Sequence, residues 1–212
     1  MEHITSCYYQ QEAVPALFLV LQQRRYRRRG FHVVIACIAD NREQLRDLWD
    51  KMEEELDGAD IRNAERGEYI REKWSAYLEK QPKDSNCAGV LCVEDRLLLF
   101  SRGKMNICGF FRRFGKPAWK VWREQCMVGE VEAGTAILLA DHAFLNLCDE
   151  ELAECLRPGE VGTDPETPEA GERAERRLKE LGHKAEELGG RHMGAIWILP
   201  VEGGRERVWR RH

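Results

Sequence analysis

The run Ala136–Ala140 (AILLA) is apolar at every position and stops at Asp141. A short continuous apolar run suits a strand buried on both faces, whereas a strand with one wet face would alternate. Such a strand fits only an architecture with layers above and below its sheet. The carboxylate at its mouth is costly unless a cation, a metal or a hydrogen-bond donor meets it. Upstream, Glu132-Ala133-Gly134 reads as a turn, with Gly taking the positive-φ position that larger residues resist. Downstream, Asp149-Glu150-Glu151 opens a helix with acids where the helix dipole favours them. Asp141 is therefore the first candidate for a metal-binding or catalytic acid.

The same pattern recurs along the chain. Ile4–Gln10, Ala16–Leu21 (ALFLVL) and Phe31–Ala39 (FHVVIACIA) read as strands, the last running into Asp40-Asn41. Between the last two lies Gln22–Gly30, whose five arginines make the polar tip of a hairpin. This basic tip, Arg24 to Arg29, is read as a solvated loop or an anion-binding point. From Arg42 onward Leu45, Leu48, Trp49, Met52 and Leu56 fall at helical spacing, and Asp57-Gly58 ends that helix. A second helical stretch, Ile61–Glu79, carries Tyr69, Ile70, Trp74, Tyr77 and Leu78, and both are expected side by side over one sheet. After the breaker Gln81–Asn86 come strands at Cys87–Val93, Leu97–Ser101 and Met105–Phe111, with one more within Pro117–Val128. The helix from Asp149 ends near Pro158, Gly159–Gly171 is an acidic loop, Arg173–Leu188 is a helix, and Met193–Val201 is a last strand whose Pro200 points to a sheet margin. Blocks of strands separated by blocks of helices fit two packed sheets flanked by helices better than a doubly wound parallel sheet.

A chain of 212 residues with 43% hydrophobic content reads as one domain with a real core, here residues 1–204, followed by a basic tail, 205–212. A net charge of -4 argues against a general nucleic-acid binder. The eight cysteines form no CxxC pair and mostly fall inside apolar runs, which suits buried free thiols in a reducing compartment. No secretory segment follows the N-terminus and no apolar run approaches the ~20 residues that span a bilayer, so a cytoplasmic location without membrane attachment is expected. His32, His142 and His192 lack the close spacing of a zinc site. The six tryptophans lie on expected core faces rather than on a base-stacking platform.

Four stretches in order resemble the metal-dependent protein phosphatases of the PP2C (PPM) type. VEAGTAILLADHAFLNLCDEELAECL is similar to the family's turn, apolar strand, Asp-Gly and acidic helix start, placing Asp141 on a metal-ligand Asp and His142 in the Gly position. FHVVIACIADN resembles the strand ending in the other Asp-Gly, with Asp40 on the bridging ligand and Asn41 in the Gly position. LLLFSRGKMNICGF looks like the strand pair carrying Gly-Asp-Ser-Arg, matching Gly103 but with Lys104 where Asp is expected. ELGGRHMGAIWILPV resembles the final Asp-Asn motif and its strand, with Arg191-His192 in their place. The resemblance covers roughly Ala16 to Val201. It implies an α+β fold, a four-layer α-β-β-α sandwich of two mostly antiparallel sheets flanked by helix pairs. The family's flap insertion is absent between Gly103 and Asp141.

The resemblance also speaks against the family's activity. Hard dications need oxygen ligands, and only Asp40 and Asp141 remain of the carboxylates that hold two Mg²⁺ or Mn²⁺ ions. Glu12 lies near the N-terminal acidic motif but out of phase. Arg191 and Lys104 bring fixed positive charge to ligand positions. Three readings of the acids stay open: Arg191, with Lys104, replaces the metal by pairing with them; they only cap turns or helices; or a metal site survives. The expectation is a pseudophosphatase domain without two-metal catalysis and without a cofactor. It would bind a phosphorylated or acidic protein partner, with Arg191 and Lys104 as substrate-binding cations. The alternative is an active serine/threonine protein phosphatase with a rearranged Mn or Mg site.

Overall fold

Among the described residues, β-strand pairing divides ten strands between two sheets, and every pairing is antiparallel. The computed structural model describes residues 3–10, 18–26, 31–58, 61, 63–94, 96–113, 116–123, 125–130, 136–142, 144–146, 168–188 and 194–201. Within them run β1 (His3–Gln10), β2 (Phe18–Tyr26), β3 (Phe31–Ala39), α1 (Arg42–Gly58), α2 (Gly67–Glu79) and β4 (Cys87–Val93). They are followed by β5 (Arg96–Arg102), β6 (Met105–Arg113), β7 (Lys116–Arg123), β8 (Cys126–Glu130), β9 (Ala136–Asp141), α3 (Pro168–Glu187) and β10 (Gly194–Val201). One sheet has the order β1-β10-β9-β6-β7 and the other β2-β3-β4-β5-β8.

Strand periodicity builds the layers. Successive residues of a strand point to opposite faces. In β3, Val34, Ala36 and Ile38 join Ala88, Val90, Cys92, Leu97 and Leu99 of their own sheet. Against these lie Met105, Ile107, Trp122, Ile137 and Leu139 of the other sheet, forming the layer between the two. The alternate residues Val33, Ile35, Cys37 and Ala39 lie under Leu45, Leu48, Met52 and Leu56 of α1 and Ile70, Trp74 and Leu78 of α2. Both helices thus cover one outer face, as their apolar spacing predicts. On the other sheet α3 lies against β1 and β10 and buries Leu178, Leu181 and Ala185. The α+β sandwich expected from the sequence is the observed one.

The helical layer is organised around one aromatic stack. Trp74 lies parallel to Phe100 with ring centroids 4.8 Å apart. Phe100 reaches that position because Gly89, its cross-strand partner, has no side chain; a Cβ there would lie 2.2 Å from Phe100 Cζ. The indole Nε1 of Trp74 donates to Oε2 of Glu55, 3.1 Å away, and Lys73 Nζ donates to the same oxygen at 2.7 Å. Glu55 is only 2% exposed. Its burial is tolerable because two donors, one charged, meet it.

Several boundaries differ from the sequence reading, each for a local reason. The expected polar tip at Gln22–Gly30 is partly strand: β2 continues to Tyr26, pairing Gln22 with Ile35 and Arg25 with His32. β2 is an edge strand, where polar and charged residues are tolerated. Pro117–Val128 forms two strands of different sheets, β7 and β8, broken at Glu124-Gln125. α2 starts at Gly67 after a short 3-10 turn, Ala64–Arg66, and not at Ile61. Helical backbone follows β9 at His142 and Phe144–Asn146, ahead of the expected start at Asp149, which lies outside the described residues. α3 begins at Pro168, inside the expected acidic loop, and ends at Glu187, one residue before the expected end at Leu188, which is 57% exposed. Pro200 does lie past the last residue of β10 that pairs with β9, Ile198. The turn at Glu132–Gly134 and the tail 205–212 lie outside the described residues.

Cys37, Cys87, Cys92 and Cys108 are buried cysteines that form no disulfide. Burial pushes the Cys37 thiol well above its ordinary range, with the neighbouring Cys87 adding to the rise, and pushes Cys87 from 9.0 up to about 12. The unfolded chain then releases these protons above pH 9 while the folded one retains them, so the stability they confer is complete below pH 9 and is lost as pH rises toward 12. Urea unfolding between pH 8 and 11 is expected to show a falling free energy, by roughly 1 kcal/mol per pH unit per thiol. Cys87→Ala should flatten that slope; an unchanged slope would show that this thiol is not the cause. Gly89→Ala is expected to cost about 1–3 kcal/mol by forcing Phe100 off Trp74, read by the same titration at neutral pH.

Candidate functional site

Strand β5 ends at Arg102 and β6 begins at Met105, so two residues, Gly103 and Lys104, carry the chain from one sheet to the other. So short a crossing brings corresponding ends of both sheets together. The same end holds the last residues of β3 and β9, after Ala39 pairs with Cys87 and where Asp141 pairs with Met105. It also holds the first residues of β10, where Ala195 pairs with Ala140.

Asn86, just before β4, ties three of these segments. Its Nδ2 donates to Oδ2 of Asp40 at 2.5 Å and to the Asp84 carbonyl at 3.1 Å. Its Oδ1 accepts the Lys104 backbone N–H at 2.8 Å, and its carbonyl accepts the Asp40 N–H at 3.2 Å. The crossing is shaped to admit this amide. Gly103 has φ +63°, and a Cβ on it would lie 2.3 Å from Asn86 Oδ1 and 2.6 Å from the Ser85 carbonyl. The Lys104 carbonyl in turn accepts the His142 N–H at 2.9 Å, which links the crossing to the end of β9.

The two acids differ in environment. Asp141 is 6% exposed, and its Oδ1 accepts the Phe144 N–H at 3.0 Å, the geometry of a helix N-cap. Asp40 is exposed and caps nothing, because Asn41 takes that role: its Oδ1 accepts the N–H groups of Glu43 at 2.8 Å and Gln44 at 3.3 Å at the start of α1. Lys104 is exposed, and the hydrogen bonds that fix it here run through its backbone. His142 Nε2 lies 3.1 Å from Asn146 Nδ2 on the next helical turn. Arg191, His192 and Glu12 lie outside the described residues; Arg191 precedes the start of β10 by three positions. The structure therefore gathers Asp40, Lys104 and Asp141 at one end of the sandwich.

Two residues of this end escape a reading of the sequence. Asn86 lies in a stretch that reads as a plain loop, and its only signal is a polar amide directly before a buried strand. Arg102 follows the expected strand Leu97–Ser101 and reads as the start of a turn, whereas β5 extends through it. Its Nη1 donates to the Leu78 carbonyl at 2.5 Å and its Nη2 to those of Gln81 at 3.1 Å and Pro82 at 3.4 Å. A guanidinium there satisfies open carbonyls and opposes the negative end of the α2 dipole. Beside it is a cleft of about 380 Å³ lined by Ser75, Leu78, Glu79, Lys83, Gln125 and Cys126 among others. Burial pushes the Cys126 thiol up to about 12, so it is protonated and a poor nucleophile at neutral pH.

Mn²⁺ or Mg²⁺ held by a cluster of carboxylates is what the sequence resemblance implies for this end. Among the described residues no group of three or more His, Cys, Asp or Glu converges on one point. Asp40 and Asp141 are two carboxylates, each with one oxygen already accepting a hydrogen bond. Such ions take about six oxygen ligands, some of them water, and two carboxylates are fewer than a pair of ions needs, so the described donors do not by themselves fit a two-metal centre.

No protein-family model matches the sequence, and no curated protein does. Solved structures do match in fold. The phosphatase domain of the cell fate determinant SpoIIE from Bacillus subtilis aligns with 99% of this chain and 96% of its own, at 8% identity and a TM-score of 0.59. A longer SpoIIE structure, its PP2C phosphatase domain with a fragment of the regulatory domain, aligns at 10% identity and a TM-score of 0.54; 93% of this chain matches, spanning 63% of that one. The S. agalactiae serine/threonine phosphatase aligns over 94% of this chain and all of its own, at 12% identity and a TM-score of 0.53. The chain has the PP2C-type fold.

Gly103→Ala is expected to destabilise the domain by about 2 kcal/mol or more, since the left-handed backbone alone costs about 1–2 kcal/mol. Gly103→Asn tolerates that backbone but still meets Asn86, so it should not restore stability. Thermal unfolding of both variants reads this, and recovery in Gly103→Asn would show that φ alone selects glycine.

Proposed function

We propose that this domain is a pseudophosphatase of the PP2C type: a binding or regulatory module for a phosphorylated or acidic protein partner, located in the cytoplasm. The observation that carries this reading is the state of the two acids. Asp40 is held by an amide and Asp141 caps a helical turn, so each acid has a structural hydrogen-bonding role at this end. Lys104 on the sheet crossing brings positive charge to this end, and in the sequence Arg191 precedes β10 by three positions. A guanidinium and an ammonium are the groups that recognise phosphate, the first bidentately and the second as a point charge. In this reading Arg191 and Lys104 receive the partner's anion, and Asp40 and Asp141 keep the strand ends in place.

One observation favours the alternative of an active Mn- or Mg-dependent serine/threonine phosphatase. Asp40 is exposed, and it shares one end of the sandwich with Asp141. If a dication bound, these two carboxylates would hold it, and it would supply an activated water and charge neutralisation for phosphoester hydrolysis.

Two measurements separate the readings. Hydrolysis of p-nitrophenyl phosphate with millimolar Mn²⁺ is expected to stay at the level of the Asp40→Ala plus Asp141→Ala double variant. Binding of a phosphoserine peptide, followed by fluorescence anisotropy, is expected to weaken about tenfold in Arg191→Ala and to fall with added salt, as charge-assisted contacts do. Mn²⁺-dependent turnover abolished in the double variant would establish the active reading instead.

A further inference from the structure

We infer that Asn86 is a positioning residue that holds Oδ2 of Asp40, so that an amide nitrogen takes a direction on this carboxylate that a metal ion could otherwise use. The inference rests on the reading that this end of the sandwich has lost two-metal catalysis. It adds the residue that makes the loss stable.

The amide's orientation follows from its partners. The Lys104 N–H can only donate, so the Asn86 atom 2.8 Å from it is the oxygen. The other end is then the NH₂ group. Its two protons are both used, one on Asp40 Oδ2 at 2.5 Å and one on the Asp84 carbonyl at 3.1 Å. A neutral donor on a carboxylate oxygen supplies part of what a cation would supply, without drawing further carboxylates toward it. A cation that takes the Oδ2 lone pair used by this N–H must displace it, and rotating the amide to make room also breaks its bond to Lys104. Because Gly103 is shaped around Asn86 Oδ1, that rotation loosens the crossing between the sheets as well. Cation binding in that direction on Oδ2 is thus opposed twice, by competition for the lone pair and by the cost of opening the crossing.

Replacing the nitrogen by oxygen reverses this. Asn86→Asp removes the donor, sets a second carboxylate against Asp40, and creates a demand for positive charge. The test is the midpoint Mn²⁺ concentration for thermal stabilisation, measured on the wild type, on Asn86→Asp, and on Asn86→Asp combined with Asp40→Asn. Without metal, Asn86→Asp is expected to melt below the wild type. With Mn²⁺ it should be stabilised at a concentration about tenfold lower or more, the scale on which groups around a metal alter its affinity. Adding Asp40→Asn should remove that gain. Should Asn86→Asp not fold, Asn86→Ser serves: it deletes the donor onto Asp40, and a midpoint about threefold or more below the wild type supports the inference. Equal midpoints for wild type and variant, or stabilisation of neither by Mn²⁺, overturn it. Hydrolysis by the wild type with Mn²⁺ would overturn the pseudophosphatase reading and this inference with it, whereas equal midpoints without hydrolysis overturn the inference alone.

Discussion

Two residues carry the chain from one sheet to the other, and the arrangement of the candidate site depends on that crossing. With Gly103 and Lys104 as the whole connection, the ends of β5 and β6 stay together, and the sheets meet in one relative orientation at this end. The layer between them, from Val34 and Val90 on one side to Ile107 and Leu139 on the other, is buried throughout. Each side chain of that size contributes about 1.5–3 kcal/mol by leaving water. That driving force is non-directional, however, and would tolerate some sliding of the sheets. The hydrogen bonds from Asn86 to Asp40 and to the Lys104 N–H are directional, and they fix which strand ends lie side by side.

The helical face uses a different arrangement of the same kind. The α1–α2 pair is held to its sheet by apolar burial, and a single buried carboxylate sets its alignment. Glu55 reaches from α1 to the Lys73 ammonium and the Trp74 indole on α2, while Trp74 stacks on Phe100 in the sheet. Removing the acid would leave the indole N–H buried without its partner, the costly half of the exchange. The middle of α2 and its C-terminal end are therefore both specified by polar groups, since Arg102 donates to the Leu78 carbonyl in its last turn and to the Gln81 carbonyl just beyond.

The fold was legible in the sequence wherever an apolar run was continuous. Phe31–Ala39 and Cys87–Val93 are strands with the boundaries their residues suggest, because burial on both faces leaves no polar position to blur the ends. Legibility failed where a break carried no turn residue. Between β7 and β8 the chain reads Arg-Glu-Gln-Cys, without Gly or Pro, and what separates the strands is membership of different sheets. Gln22–Tyr26 misled in the opposite sense, since its polarity suits a loop and also an edge strand. At the site, Asp40, Asp141 and Lys104 could be named because each stands at the end of a recognisable run. Asn86 could not, because its role comes from contacts 46 residues back, at Asp40, and 18 residues ahead, at Lys104. Nor could the sequence divide the work between Asp40 and Asn41, where the neutral neighbour caps the helix and leaves the acid free for the crossing.

The buried thiols give the domain a clock. Cys37, Cys87, Cys92 and Cys108 have no disulfide partner and no access to solvent while the sheets are closed. An oxidant in solution meets them only when the sandwich opens, so their rate of modification is set by the opening equilibrium or the opening rate rather than by thiol chemistry. Once opened in air, the chain holds several reactive cysteines at once, and any pair that joins blocks the return to two registered sheets. Durability under oxidation is for this chain a kinetic property of its core.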